Sequence, residues 1–430
     1  MRVAFLSGYD AAGQRFNGLV LHRALLAAGY KSDYAVAERS LSEPHIHQLG
    51  SRWLRQANRV TVKLEQKLSR QSDLAVLGTA FLNAPYVRRA DLIHLQLLHA
   101  KSFFSLRHLP QLANGRRPVL WTLHDPWITT GHCVHPFDCN RWQTGCGHCP
   151  DLSLPLTITR DRTAANWALK KRVMARSRVH LIVASRWMEE RVAESPLLAG
   201  LPCSLIPFGI DTTLFRPQPK PQARASLGIP ADARAVAVRW APHNIFKGTQ
   251  FADAALASLP AGMVTDVICF DSAGGSDAAA LRQRFRVTTI NSHLDQQAIA
   301  TGLAAADLFL MPSTAESFGM MAIEAMACGT PPVVFTGTAL PDVIDAPRGG
   351  IAVPAGDAAE LSRAIVGMLT NDSLRDSCRQ HGLQLARSRY DKQRHIDEHL
   401  LLYKRLLDAA RRSGPPSRQN RPAADSMPTP

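Results

Sequence analysis

Two doubly wound α/β domains, each a parallel sheet with helices on both faces, are what this sequence predicts. Three observations lead there. Short, continuously apolar runs alternate with helical patterns in both halves, as expected of strands buried on two sides. The 430 residues suit two domains of about 100–200 residues each. Near the middle, "PFGIDTTLFRPQPKPQ" carries Pro217, Pro219 and Pro221, which stiffen the chain as a domain crossing would.

In the first half, "RVAFLS" (2–7) reads as the opening strand. Gly8, Gly13 and Gly18 follow, then the helical "LVLHRALLAAG". Further strands are expected at "DLIHLQ" (91–96), "PVLWTLHD" (118–125) and "VHLIVAS" (179–185). The second half alternates more regularly, with strand-like "AVAVRW", "DVICFDS", "VTTIN", "ADLFLMPS", "PPVVF" and "GIAVP". The boundaries read as a first domain at 1–205 and a second at 206–385. A helix at 386–412 then returns toward the first domain. A disordered tail is expected at 413–430, where "SGPPSRQNRPAADSMPTP" holds five prolines.

Hydrophobic content of 46% is ordinary for a globular chain, and no apolar run approaches the roughly 18 residues of a membrane span. The N-terminal apolar stretch is too short for a signal peptide, so a cytoplasmic protein is expected. The net charge is +15, and it is uneven: residues 1–205 carry 27 Lys/Arg against 14 Asp/Glu, while residues 206–385 carry 13 against 16. The first half therefore points to an anionic partner. In "SRWLRQANRVTVKLEQKLSRQ", Arg52, Arg55, Arg59, Lys63, Lys67 and Arg70 form one helical stripe; Trp53, Ala57, Val60, Leu64 and Leu68 form a second. Such a helix either packs its apolar side on its own domain or lies on an anionic membrane surface. Nucleic acid is not the expected partner.

In "ESFGMMAIEAMACGTP", Glu316 and Glu324 stand with seven mostly small or apolar residues between them. "ADLFLMPS" should be a buried strand and "GMMAIEAMACG" a helix ending at Gly329. Glu316 then lies at the carboxyl end of a parallel strand, where open α/β sheets bind ligands. Glu324 is about 12 Å further along the helix, at about 1.5 Å per residue. That spacing suits two ends of one extended ligand. Amides of Phe318 and Gly319, with Ser317 beside them, open the helix and would attract a diphosphate. Glu324 could accept hydrogen bonds from a ribose diol, and Glu316 could meet a sugar.

"PSTAESFGMMAIEAMACGTPPVV" closely resembles the E-x7-E segment of retaining glycosyltransferases of family 4, which have the GT-B architecture. "PFGIDTTLFRP", "VRWAPHNIFKG", "AAADLFLMPS" and "GGIAVPAGDAAELSRAI" resemble further segments of that family, in order. "PVLWTLHDPWITTGHCVHPFDCNRWQTGCGHCP" is similar to a branch used in exopolysaccharide and O-antigen assembly, with the colanic-acid enzymes as nearest examples. The resemblance implies that Glu324 binds the ribose of a nucleotide diphosphate sugar and Glu316 contacts the donor sugar. It implies that Arg239 and Lys247 hold the diphosphate and that His124 lies close to the transferred sugar, with Asp125 orienting it or binding acceptor. Gly13, in a loop that departs from the family's "GGA"-like turn, is the candidate for close approach to the donor phosphate. The leaving diphosphate gains charge as the glycosidic bond breaks, and preplaced cations and amides stabilise that charge. No cofactor is expected for catalysis. The implied acceptor is a polyprenyl-diphosphate-linked oligosaccharide or another saccharide.

Cys133, Cys139, Cys146 and Cys149, with His132, His135 and His148 among them, follow C-x5-C-x6-C-x2-C. In a reducing compartment a closed structural zinc site is favoured over disulfides, with free thiols also open. Two rival functions keep the same sequence in view. One is another enzyme of this architecture, a nucleotide-sugar epimerase or a phosphorylase. The other is a non-enzymatic basic scaffold for membrane or nucleic acid.

Overall fold

The computed structural model describes residues 1–11, 13–271, 278–291 and 295–412. The first sheet contains β1 (Arg2–Tyr9), β2 (Lys31–Glu38), β3 (Ile46–Gln48), β4 (Leu92–Leu95), β5 (Val119–Thr122), β6 (His180–Val183) and β7 (Cys203–Leu205). Their spatial order is β3-β2-β1-β4-β5-β6-β7, and every neighbouring pair is parallel. The second sheet contains β8 (Ala235–Trp240), β9 (Asp266–Asp271), β10 (Arg286–Asn291), β11 (Leu308–Met311), β12 (Pro332–Phe335) and β13 (Ile351–Val353). It is again all parallel, in the order β10-β9-β8-β11-β12-β13.

All four residues of β4, β5, β11 and β12 are buried, as two-sided burial requires of continuous apolar strands. Each sheet has one point where the strand order reverses, between β1 and β4 in the first and between β8 and β11 in the second. Loops leave the carboxyl ends of those strands, the place where doubly wound sheets bind ligands in a crevice. Every sequence element that later carries the site sits on one of these loops or its immediate neighbours.

The chain crosses between the sheets twice, and the crossings run side by side. Ile210 bridges Asp391 in parallel, with Ile210 N–H donating to Tyr390 O (2.8 Å) and Lys392 N–H to Ile210 O (2.9 Å). Gly209 is needed there, because a Cβ would lie 2.8 Å from the Asp391 carbonyl oxygen. After the second crossing, the helix Lys392–Arg412 returns to the first sheet. Its Ile396, Leu402 and Tyr403 join Val3, Phe5, Leu92 and Leu120 in one core cluster. Burying Ile396 and Leu402 there contributes about 1.5–3 kcal/mol each, an upper estimate.

One boundary differs from the sequence reading. Residue 386 falls inside the helix Asp372–Arg389, and the break comes at Tyr390 and Asp391, where the chain meets Ile210. A long-range bridge sets that break, where the long helical pattern after Tyr390 begins. The expected tail at 413–430 lies outside the described residues. Among the described residues no helix is long and apolar enough to cross a membrane.

Candidate active site in the interdomain crevice

Two loops of the second domain are joined into one wall. The first follows β8, the second follows β11, and those strands are paired from Val236↔Leu308 to Val238↔Leu310. Thr314 N–H donates to Phe246 O (3.0 Å), and Thr314 Oγ1 donates to Ile245 O (3.1 Å). Gly248, at φ 62°, lies against the other loop so closely that a Cβ would sit 1.9 Å from the Pro312 carbonyl oxygen. Only glycine satisfies both the left-handed backbone and that contact. The result brings Lys247 Nζ to 2.8 Å from Glu316 Oε2, with the two side chains only 19% and 17% exposed.

Beyond Glu316 the chain turns into the helix Met320–Ala327, capped by Gly319 at φ 102°. A Cβ on Gly319 would meet Leu340 Cδ2 at 2.3 Å. The helix therefore begins one to two residues later than the sequence suggested: Phe318 precedes the cap. Its ring is buried and makes edge contacts with Phe208 (5.1 Å) and Tyr390 (5.7 Å). Phe318 is thus an anchor for the loop. Gly319 and the residues after it carry the amides that open the helix. The carbonyl of Ser317 accepts from Ser185 Oγ (2.6 Å), which ties the glutamate loop to the first domain at the start of the helix Arg186–Glu194.

Glu324 is fully buried. One oxygen, Oε1, is paired with the Arg15 guanidinium of the first domain. Oε2 has no hydrogen-bond partner among the described residues. Burial pushes its pKa up, opposed by the charges of Arg15 and Arg239. Arg239 lies at the end of β8 and donates to Phe270 O (3.0 Å). Gly13 has φ 70° in the loop after β1, and a Cβ there would strike the Phe16 ring at 2.8 Å.

His124 follows β5. Its ring stacks on Phe208 at 5.5 Å and 6°, and Phe16 covers it at 5.6 Å. Nε2–H donates to Gln96 Oε1 (2.8 Å), and Nδ1 has no partner among the described residues. Burial pushes its pKa down to about 3, so the ring is neutral and Nδ1 is an acceptor. Behind it, Gln96 Nε2 donates to His94 Nε2 (3.1 Å), and His94 Nδ1 meets Tyr403 Oη (2.6 Å) on the returning helix. Among the described residues the Asp125 side chain makes no hydrogen bond to the His124 ring. Its Oδ1 accepts from Trp127 N–H (3.0 Å), and its Oδ2 lies 3.3 Å from His99 Nε2.

Sequence reasoning missed Arg15, Gln96, His94, Ser185 and Phe208. Each acts across more than twenty residues, which no local pattern records. The glycine-rich loop was the one available signal for Arg15.

The cysteine segment forms the neighbouring wall. Cys133, Cys139, Cys146 and Cys149 line one small cavity with His132, and all four thiols are free. Gly131 N–H donates to Cys146 Sγ (3.2 Å), while Cys149 Sγ lies 3.3 Å from His132 Nε2. Burial pushes Cys133 up to about 11 and Cys146 up to about 12, so these groups are thiols at neutral pH. Among the described residues no three His, Cys, Asp or Glu side chains are arranged to hold a metal ion. The expected zinc site is therefore not supported by this geometry. The segment is held instead by buried Lys170, whose Nζ donates to Trp127 O (2.5 Å) and Thr130 O (2.9 Å) and lies over the Trp127 ring at 3.8 Å.

Known proteins resemble this chain in two ways. The family pattern described as "Glycosyl transferases group 1" matches residues 246–371, which hold Lys247, Glu316 and Glu324. D-inositol 3-phosphate glycosyltransferase of Saccharomonospora viridis is 29% identical over 221 residues, 47% of this chain and 50% of that one. Its namesake in Mycobacterium tuberculosis is 35% identical over 173 residues, 37% of this chain and 35% of that one. The chain thus spans half or less of these relatives. Among solved structures, sucrose-phosphate synthase from Thermosynechococcus elongatus has a TM-score of 0.68 at 23% identity, covering 95% of this chain and 100% of that one. Anabaena HepE in complex with UDP-glucose has a TM-score of 0.66 at 20% identity, covering 94% and 100%. WaaG, a glycosyltransferase involved in lipopolysaccharide biosynthesis, has 0.63 at 15%, covering 93% and 99%. The architecture is GT-B, and the second domain carries the group 1 glycosyltransferase pattern.

Proposed function

We propose that the protein is a retaining glycosyltransferase of family 4. In this reading it moves a sugar from a nucleotide diphosphate sugar to a lipid-linked oligosaccharide or polysaccharide in bacterial surface polysaccharide synthesis. One observation carries the reading. Glu324 is a wholly buried carboxylate with one oxygen paired to Arg15 and the other unpartnered among the described residues. A buried acceptor without a donor costs about 1–3 kcal/mol, and a ribose hydroxyl would supply that donor.

The remaining parts fit one extended ligand. Lys247 and the amides from Gly319 onward lie where the diphosphate would run, with Arg239 adding positive charge near Glu324. Glu316, held by Lys247, would meet the sugar once the diphosphate draws the lysine away. His124 would offer Nδ1 to a sugar hydroxyl from the opposite wall. As the bond from the anomeric carbon to phosphate breaks, its electron pair leaves with the nucleoside diphosphate. The acceptor hydroxyl forms the new bond on the same face and loses its proton to the departing phosphate. UDP-glucose bound to HepE, a protein of the same fold, supports a nucleotide sugar as the first ligand to try.

The test is transfer of labelled sugar from nucleotide sugars into the lipid fraction of a membrane extract. Wild-type protein should transfer, and Glu316→Ala and Lys247→Ala should not. Intact transfer by both variants would end the mechanism. Nucleotide released without acceptor, or phosphate-dependent cleavage, would favour a hydrolase, epimerase or phosphorylase of the same architecture.

A further inference from the structure

The helix Arg52–Lys67 is built with its polar side inward. Only Asn58 and Glu65 are buried along its length. Asn58 Oδ1 accepts from Val76 N–H (3.0 Å) and Leu77 N–H (3.1 Å). Glu65 Oε1 accepts from Asp73 N–H (2.6 Å) and from Leu74 N–H. These hydrogen bonds fasten the helix to the domain through polar groups, and the Ser51 side chain caps its start at Leu54 N–H.

Leu54 packs on the first-domain core and Val62 is half-buried, but the stripe from Trp53 to Leu68 faces outward. Trp53 is 82% exposed and Val60 68%, with Leu64 at 45% and Leu68, the C-cap residue, at 44%. Among the described residues six large hydrophobic side chains are exposed, and these are four of them. A helix packing on its own domain would bury that stripe, so the first of the two sequence readings fails. Beside it on the outward side run Arg52, Arg59, Lys63 and Lys67, all exposed, while Arg55 is half-buried and donates to Gly50 O (2.6 Å); the helix's one acid, Glu65, is turned inward. A face that is half apolar and half cationic, about 24 Å long, matches an interfacial helix.

We propose that this helix docks the protein on an anionic lipid bilayer, with Trp53, Val60 and Leu64 entering the headgroup boundary and the four exposed bases meeting lipid phosphates. A neutral partner would leave those bases without counter-charges. An acidic protein groove would satisfy them, but the bilayer also accepts an open row of apolar side chains without a matching pocket. The groove beside the helix is lined by Ala37, Glu38 and Gln48, at the carboxyl ends of β2 and β3. In a parallel sheet that edge is the one that carries the crevice loops. Docking would therefore bring the crevice side of the first domain to the membrane. The proposal stands apart from the transferase reading, because it uses none of that site's residues.

The test is flotation of the full chain with vesicles of phosphatidylcholine alone or mixed with phosphatidylglycerol. Wild-type protein should float with the anionic vesicles at low salt, bind neutral ones weakly, and detach as salt rises. Arg59→Ala with Lys63→Ala should weaken anionic binding about twenty-fivefold, from about fivefold per base. Trp53→Ser with Val60→Ser should weaken it at every salt concentration. All four positions are exposed, so melting curves should stay unchanged. Wild-type protein that fails to float, or an equal loss from Arg116→Ala elsewhere on the domain, would overturn the proposal. So would capture of a DNA duplex in place of vesicles, or a concentration-dependent dimer that Trp53→Ser dissolves without any flotation.

Discussion

The two walls of the crevice are built differently. On the second-domain side, Lys247, Gly248, Glu316 and Gly319 come from two loops on paired strands, and glycines lock them at van der Waals contact. On the first-domain side, His124 depends on a relay through Gln96 and His94 to Tyr403, more than 270 residues away in the chain. One wall is specified by adjacency, the other by a buried network. Removing a part should therefore abolish function locally in the first wall and loosen function from a distance in the second.

The largest effect should come from the adjacent wall. Lys247→Ala or Glu316→Ala should lower kcat about 10²–10³-fold, the cost of one preplaced charge or donor, with the melting temperature nearly unchanged. Gly248→Ala comes next. Its Cβ meets the Pro312 carbonyl, so the two loops must part, and the variant should lose about 2 kcal/mol or more in chemical denaturation along with donor binding. If Gly248→Ala were neutral, the first wall would not be locked as described.

The network predicts smaller, graded losses. Gln96→Ala should lower kcat about tenfold with little change in KM for donor, because it frees the His124 ring without removing it. Gln96→Glu, which keeps the acceptor, should recover part of that loss; no recovery would mean that Gln96 serves packing alone. Acid should act on His94 of that network and on two further buried histidines outside it. His94 is held down to about 3, His395 and His22 to about 4, all by burial. These groups bind protons in the unfolded chain at about pH 6.5 but not in the fold. Stability should be full above pH 6.5 and fall as pH drops below it. The loss should approach about 1.4 kcal/mol per pH unit for each such histidine. Denaturation at pH 7 and pH 5.5 measures this directly, and unchanged stability would contradict the buried, neutral ring assignments.

That contrast also explains what the sequence disclosed. The parallel sheets were legible because β4, β5, β11 and β12 are mostly apolar and buried along their whole length. The glutamate loop was legible because its chemistry lies within nine consecutive positions and its glycines mark the turns. Phe318 was misplaced by one to two residues because Gly319, with its left-handed backbone, delays the helix. Arg15, Gln96 and Ser185 were invisible because their partners lie far away in the chain. The cysteine spacing was compatible with zinc, yet the loop backbone turns the side chains into a cavity of half-buried thiols near Lys170. The outward apolar stripe on Arg52–Lys67 was visible as a stripe; its direction was not. Only the inward bonds of Asn58 and Glu65 fix it.

The most direct test is a melting series of the purified full chain with UDP-, GDP- and other nucleotide sugars, run on wild-type protein and on Glu324→Gln. One donor at 100 times its Kd should stabilise wild-type protein by about 2.7 kcal/mol, and the same donor should lose most of that effect on the variant. Equal stabilisation of both proteins, or none by any nucleotide sugar, would contradict a donor gripped at Glu324.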